Sequence, residues 1–165
     1  MINKNKGIRF IKRGIAATLL LCLILVMGSC GDKNKEWTSF TEPLAEELMD
    51  KVAFADELAP VDMNIISTMY GVDESMLVDY KVLMSSGGTA DEVAIFFAKN
   101  DKYANEIRTV VDARVEDQKA VMENYLPEEM DKLNNAIVSG VGPYVILCVT
   151  EDTETAKEII DDYLK

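Results

Sequence analysis

The residues best placed to do chemistry stand together on one helical stretch. Ile107, Val111, Arg114, Gln118, Met122 and Tyr125 follow one another at spacings of 4, 3, 4, 4 and 3. At about 100° per residue, Arg114 and Gln118 fall roughly 20° to either side of Ile107, near the middle of an apolar stripe. A charge placed there without a partner costs several kcal/mol or more, so Arg114 must meet a carboxylate, carbonyl oxygens or a bound anion. Two arrangements satisfy it. One is a polar clamp tying the helix to a loop, with Asp112, Glu116 and Asp117 facing out. The other is a pocket for an anion or a peptide carboxylate, built from Arg114, Gln118 and Tyr125. The clamp is the commoner use of such residues, and a long arginine also reaches solvent from beneath apolar cover.

The other candidates carry less. The chain has no histidine, which removes Ser-His-Asp and Cys-His catalysis, histidine-ligated zinc and the commonest general base. Cys148 stands between Leu147 and Val149 in the most apolar run and reads as a buried structural thiol. Gly87-Gly88 lacks the Lys-Ser/Thr of a phosphate loop and reads as a turn. The acidic groups Glu151-Asp152-Thr153-Glu154 and Asp161-Asp162 lack the ligand spacing and central glycine of a calcium loop. Carboxylates are plentiful, yet no pair is singled out for hydrolysis. No catalytic residue, metal site or cofactor is expected.

Cys30 is a different case. It follows a basic head (Lys4, Lys6, Arg9, Lys12, Arg13) with no acidic residue, then an uncharged run from Ile15 to Met27, then Gly28 and Ser29. That run is too short for the roughly 20 residues a spanning helix needs and fits a signal-peptide core. The segment resembles the lipobox of lipoproteins, with Met27 where leucine is commonest. It predicts a signal peptide over 1–29, lipid on Cys30, a tether over 30–36 and one domain over 37–165. The expected location is the outer face of the cytoplasmic membrane. A single acyl chain holds a membrane only marginally, so a diacylglyceryl thioether or more, palmitate-type chains included, is the sensible anchor.

Residues 1–29 hold 5 of the 17 basic and none of the 29 acidic residues, so residues 30–165 carry a net charge of −17. Such a surface repels phosphate backbones, which argues against nucleic acid as a partner. Cys22 leaves with the signal and Cys30 takes lipid, leaving Cys148 without a partner for a disulfide. The domain must stand on its core.

Pro43 suits a first helical turn, after which Leu44, Leu48, Met49 and Val52 share a face. A second helix fits Met63 to Tyr70, ended by Gly71, with Ile65, Ile66 and Met69 inward. Val78, Tyr80, Val82 and Met84 alternate with Asp79, Lys81, Leu83 and Ser85 as in a strand. Glu92 to Lys99 makes the second strand of a hairpin. Asn100 or Asp101 caps a long helix to about Asn124, stopped at Leu126-Pro127. A short turn through Met130 and Leu133 follows, then a weak strand at Ala136 to Ser139 and a nearly continuous apolar one at Tyr144 to Thr150. Asp152 caps a last helix striped with Ala156, Ile159, Ile160, Tyr163 and Leu164. The expected fold is α+β: a four-stranded, mostly antiparallel sheet with helices on one face, strand-strand-helix twice after leading helices.

Met69-Tyr70-Gly71, Arg114-Val115-Glu116-Asp117-Gln118, Tyr125-Leu126-Pro127, Asn135-Ala136-Ile137-Val138 and Gly142-Pro143-Tyr144-Val145 together resemble a lipoprotein family known only as a domain of unknown function, number forty-three fifty-eight of that series. The likeness runs from about Trp37 to the C-terminus. It implies an extracytoplasmic lipoprotein and brings no activity with it.

The expected role is a membrane-anchored binding or interaction module rather than an enzyme, with an envelope protein or a small ligand as partner. An accessory subunit or regulator of a membrane enzyme or transporter is the alternative, and an exposed apolar patch near Trp37 or Phe40 would favour it. A small carboxylate hydrolase ranks last.

Overall fold

The structure is a computed structural model, and it describes residues 36–165; the predicted signal, Cys30 and all of the tether but Glu36 lie outside these. Trp37–Lys165 forms one compact unit. Helix α1 (Thr41–Lys51) carries Pro43 in its first turn. A two-residue strand β1 (Ala59–Pro60) leads to α2 (Met63–Tyr70). Asp62 starts α2 by accepting the N–H groups of Asn64 and Ile65, and Gly71 ends it at φ 67°, a left-handed turn that glycine takes without strain. The hairpin is β2 (Leu77–Met84) and β3 (Glu92–Ala98). Helix α3 (Asp101–Tyr125) is capped by Asn100, whose side chain accepts the Tyr103 N–H. A 3₁₀ turn at Pro127–Glu129 leads into α4 (Met130–Asn134), then β4 (Ile137–Ser139), β5 (Tyr144–Val149) and α5 (Thr153–Leu164).

The expected α+β class, the antiparallel pairing and the two strand-strand-helix units are present. Two expectations need correction. The sheet has five strands, in the order β1-β2-β3-β5-β4, because Ala59 and Pro60 pair with Met84 and Leu83. Pro60 lacks an N–H and is tolerated because β1 is an edge. The helices also cover both faces of the sheet. Ala94, Phe96, Val145 and Leu147 pack with Ile66, Ile107, Val111 and Leu133 of α2, α3 and α4. Their strand neighbours Val93, Ile95, Ile146 and Cys148 pack with Leu44, Leu48, Ala156 and Ile160 of α1 and α5. Successive strand residues point to opposite faces, so two cores sandwich one sheet. Each fully buried Ile, Leu or Phe contributes about 1.5–3 kcal/mol.

Two smaller placements also differ. Ile66 and Tyr70 are the inward residues of α2, while Ile65 and Met69 are exposed. Val78 is exposed because an irregularity in register between Leu77 and Asp79 breaks the alternation of β2.

Trp37 and Phe40 touch the body of the domain. Phe40 stacks on the Tyr144 ring at 3.8 Å and Tyr144 stacks on Phe97 at 4.6 Å, while Trp37 meets Tyr144 edge-on at 5.9 Å. Tyr144 donates its hydroxyl to the Thr38 carbonyl at 2.6 Å. Thr41 donates to Asp79 at 2.6 Å, and Ser39 donates to the same carboxylate oxygen. These bonds outweigh the cost of burying Asp79 and hold its carboxyl below the usual range. A Cβ added to Gly142 would lie 2.3 Å from the Trp37 ring, so only glycine lets that ring settle there.

Candidate functional site

Glu92 opens β3 in register with Ala94, Phe96 and Ala98 on the face that α3 covers. Its side chain is 2 % exposed. A carboxylate so placed needs partners on both oxygens, and it has them. Arg114 of α3 donates from Nη2 to Oε2 at 3.1 Å, and Gln118, one turn on, donates from Nε2 to the same oxygen at 2.9 Å. The Tyr70 hydroxyl donates to Oε1. Burial first, and then the negative charge of Glu92, push the Tyr70 phenol well above its ordinary range, so it stays a donor. The Arg114 guanidinium also lies 5.9 Å from the Tyr70 ring centre, within cation–π range. Hydrogen bonds to a charged group contribute about 1.5–3 kcal/mol each.

The clamp reading of Arg114 and Gln118 therefore has a partner, which is a strand residue and not a loop. The structure brings Arg114 and Gln118 together and leaves Tyr125 out of the cluster: it is 77 % exposed. Seven-residue β3 is about 23 Å long and 25-residue α3 about 37 Å. The helix overhangs the sheet, and Tyr125, on the same helical line as buried Ile107, emerges with Val121 into solvent. An anion pocket at Arg114 is disfavoured as well, because Glu92 already neutralises the guanidinium and would repel a second negative charge.

Two polar atoms of the cluster meet no hydrogen-bond partner among the described residues: Arg114 Nε and Gln118 Oε1. Gln118 must turn its NH₂ toward the carboxylate, which fixes Oε1 as the unsatisfied end. An unsatisfied buried group costs about 1–3 kcal/mol. Both residues line a cleft of about 130 Å³ with Met69, Met84 and Met122 and with Ser85, Gly87 and Thr89 of the hairpin turn.

Asp91, next along, anchors a second buried cluster. Its Oδ2 accepts the N–H groups of Ala55 at 2.8 Å and Asp56 at 3.2 Å, and its Oδ1 accepts from Lys132 Nζ at 3.0 Å. Lys132 also pairs with Glu129 at 3.0 Å, and Glu129 accepts the Ala90 N–H at 2.9 Å. Burial alone would lower the Lys132 pKa, but the hydrogen bonds from Glu129 and Asp91 outweigh it and raise it. The cluster ties the loops at Ala55–Asp56 and Ala90–Asp91 to the helical segment that carries Glu129 and Lys132. Lys132 also lines a second cleft of about 270 Å³ with Asp131, Asn135, Thr150 and Glu151.

Both clefts lie at one end of the sheet. Their residues flank Met84, Glu92 and Val149, which pair at that end. Trp37 and Phe40 sit at the other, where Phe97 pairs with Tyr144. The register separates the two ends by five steps, roughly 17 Å.

Sequence reasoning missed Glu92, Tyr70, Asp91 and Lys132 as site residues. The signal for Glu92 was present: an acid in strict alternation with Ala94, Phe96 and Ala98 demands a cation across the core, and Arg114 demanded an anion.

Cys148 is fully buried and its thiol is pushed up to about 12, by burial first and then by the charges of Asp91 and Asp152. Among the described residues no group of three or more Cys, Asp or Glu is arranged to hold a metal ion, and no helix is long and apolar enough to cross a membrane.

The fold and site define an α+β sandwich, one sheet between two helical layers, with buried ionic clusters at Glu92 and at Asp91. Residues 51–150 match the family described as Domain of unknown function (DUF4358), more than half of the chain, and the chain belongs to that family. No curated protein and no solved structure matches it.

Proposed function

We propose that this protein is an extracytoplasmic lipoprotein, anchored through lipid on Cys30, that works as a binding module. The observation that carries this is the polarity of the domain. The chain arrives from the tether side at Trp37, pinned beside Tyr144, and both clefts lie about 17 Å away at the opposite end of the strands. A domain entered by the chain at one end has its clefts at the end farther from that point of entry. The sequence from Lys4 to Cys30 supplies the anchor in this reading.

An accessory subunit differs in needing a stable protein partner. Trp37 and Phe40 pack against the domain itself, so they offer that reading no free patch. The overhang of Val121 and Tyr125 does favour it.

The test uses the full chain in its own cells, with a photocrosslinking amino acid at Tyr125 on the cleft end or at Val78 on the tether end. Crosslinked products from position 125 alone are expected. Products from position 78 alone, or from both equally, overturn the reading. In parallel, Cys30→Ser is expected to remain uncut and poorly retained by membranes, and normal maturation of that variant refutes the anchor.

A further inference from the structure

Arg114 and Gln118 both line the cleft beside Glu92, and each keeps one buried polar atom without a partner, the Arg114 Nε–H donor and the Gln118 Oε1 acceptor. The ionic demands of the site are met internally, because Glu92 takes hydrogen bonds from Tyr70, Arg114 and Gln118. A charged ligand would upset that balance. What the two atoms lack is a neutral group that accepts with one atom and donates with its neighbour. The amide group does this: its carbonyl takes the Nε–H and its N–H gives to Oε1.

The remaining walls agree. About 130 Å³ is roughly four waters' share of liquid volume, enough for one amide with a short apolar stem. Met69, Met84 and Met122 supply soft apolar contact, and their flexible stems can swing aside to admit a ligand to atoms now closed off from solvent.

We infer that this cleft binds a neutral amide carrying a short apolar group, held by Arg114 Nε and Gln118 Oε1. The inference rests on the binding-module reading and names its ligand chemistry. The amide can belong to a free small molecule or to a polypeptide segment, and the latter would continue onto Val121 and Tyr125.

The experiment titrates the ¹⁵N-labelled full chain, in detergent, with N-acetylleucinamide and follows the Arg114 Nε–H and Gln118 side-chain signals. The chain's other arginines are Arg9, Arg13 and Arg108, and the Arg114 signal is the one that Arg114→Lys removes. Saturable shifts of both are expected, in the millimolar range fitting so small a ligand. The analogue methylated at both amide nitrogens, N-acetyl-N-methylleucine dimethylamide, accepts but does not donate, and is expected to bind about tenfold or more weakly, the loss of one hydrogen bond. Gln118→Met, checked for folding by its spectrum, is expected to erase that preference. Equal binding of the two amides to the wild-type chain, or no saturable shift, overturns the inference. Tighter binding of acetyl-alanyl-leucyl-alanine amide than of N-acetylleucinamide assigns the site to a polypeptide, and equal binding assigns it to a free amide. If amides fail while crosslinks from position 125 persist, the ligand class is wrong and the module stands.

Discussion

Replacing Arg114 with alanine isolates the energetic core of the site. The change leaves the Glu92 carboxylate, 2 % exposed, with hydrogen bonds from Tyr70 and Gln118 but no compensating charge. Breaking a buried ion pair by removing one partner costs about 3–5 kcal/mol. A domain of this size has a total stability of roughly 6–20 kcal/mol, so the loss is a large fraction of it. With a urea slope of about 2 kcal/mol per molar, the unfolding midpoint falls by about 1.5–2.5 M. Glu92→Gln should cost less, about 1–3 kcal/mol, because Arg114 is 16 % exposed and can carry its charge toward solvent. The double variant Arg114→Ala/Glu92→Gln strands no charge and should be more stable than the sum of its parts by at least about 1 kcal/mol. Urea unfolding followed by circular dichroism at neutral pH measures all four species. An Arg114→Ala variant within about 1 kcal/mol of wild type, or a strictly additive cycle, refutes the reasoning.

Further outcomes follow from other contacts. Lys132→Met leaves Asp91 and Glu129 facing each other in the interior and should cost about 3–5 kcal/mol by the same urea assay. Asp79→Asn should loosen the segment at Ser39 and Thr41 and red-shift the emission of Trp37, the sole tryptophan. Asp79 titrates below its ordinary value when folded, so its contribution is present above about pH 4. It is lost as pH falls through that lower folded value, and the same red shift should appear in wild-type protein on acidification. Cys148 should resist thiol reagents at pH 8 in the native state and react on unfolding in urea, because its thiol is buried and pushed up to about 12. Gly140→Ala would set a methyl group 2.1 Å from the Tyr144 carbonyl oxygen and should lower the melting temperature sharply.

Much of the fold was legible because local signals agreed with one another. Gly71 ends α2, Asn100 and Leu126-Pro127 bracket α3, and Asp152 starts α5. The fifth strand was not legible, since Ala59 and Pro60 are two exposed residues that become a strand only by pairing with β2. The two-sided helical cover was written in the sequence but misread: every residue of β3 and β5 is buried, and an apolar run without alternation is what burial on both faces produces. At the site, the helical period located Arg114 and Gln118 in a buried stripe. It could not say that the period would carry Tyr125 past the end of the sheet, because that depends on the strand lengths. Glu92 was marked by its alternation with Ala94, Phe96 and Ala98, but that it meets Arg114 and Gln118 takes the packing of α3 on β3.

The segment from Trp37 to Thr41 is fastened beside Phe97 and Tyr144, and the clefts lie beyond the far ends of the same two strands. A pull between an anchor on the N-terminal side and a ligand held in the cleft therefore runs along β3 and β5, parallel to their length. Both strands, paired from Glu92 with Val149 to Phe97 with Tyr144, then carry the load lengthwise, and their hydrogen bonds are not peeled open one after another. The weakest link under tension is then the Trp37–Thr41 fastening, held by one glycine-sized gap, a ring stack and the Asp79 carboxylate. On the anchored reading proposed above, its release would lengthen the chain ahead of the domain before the sheet gives way, and so absorb a shock.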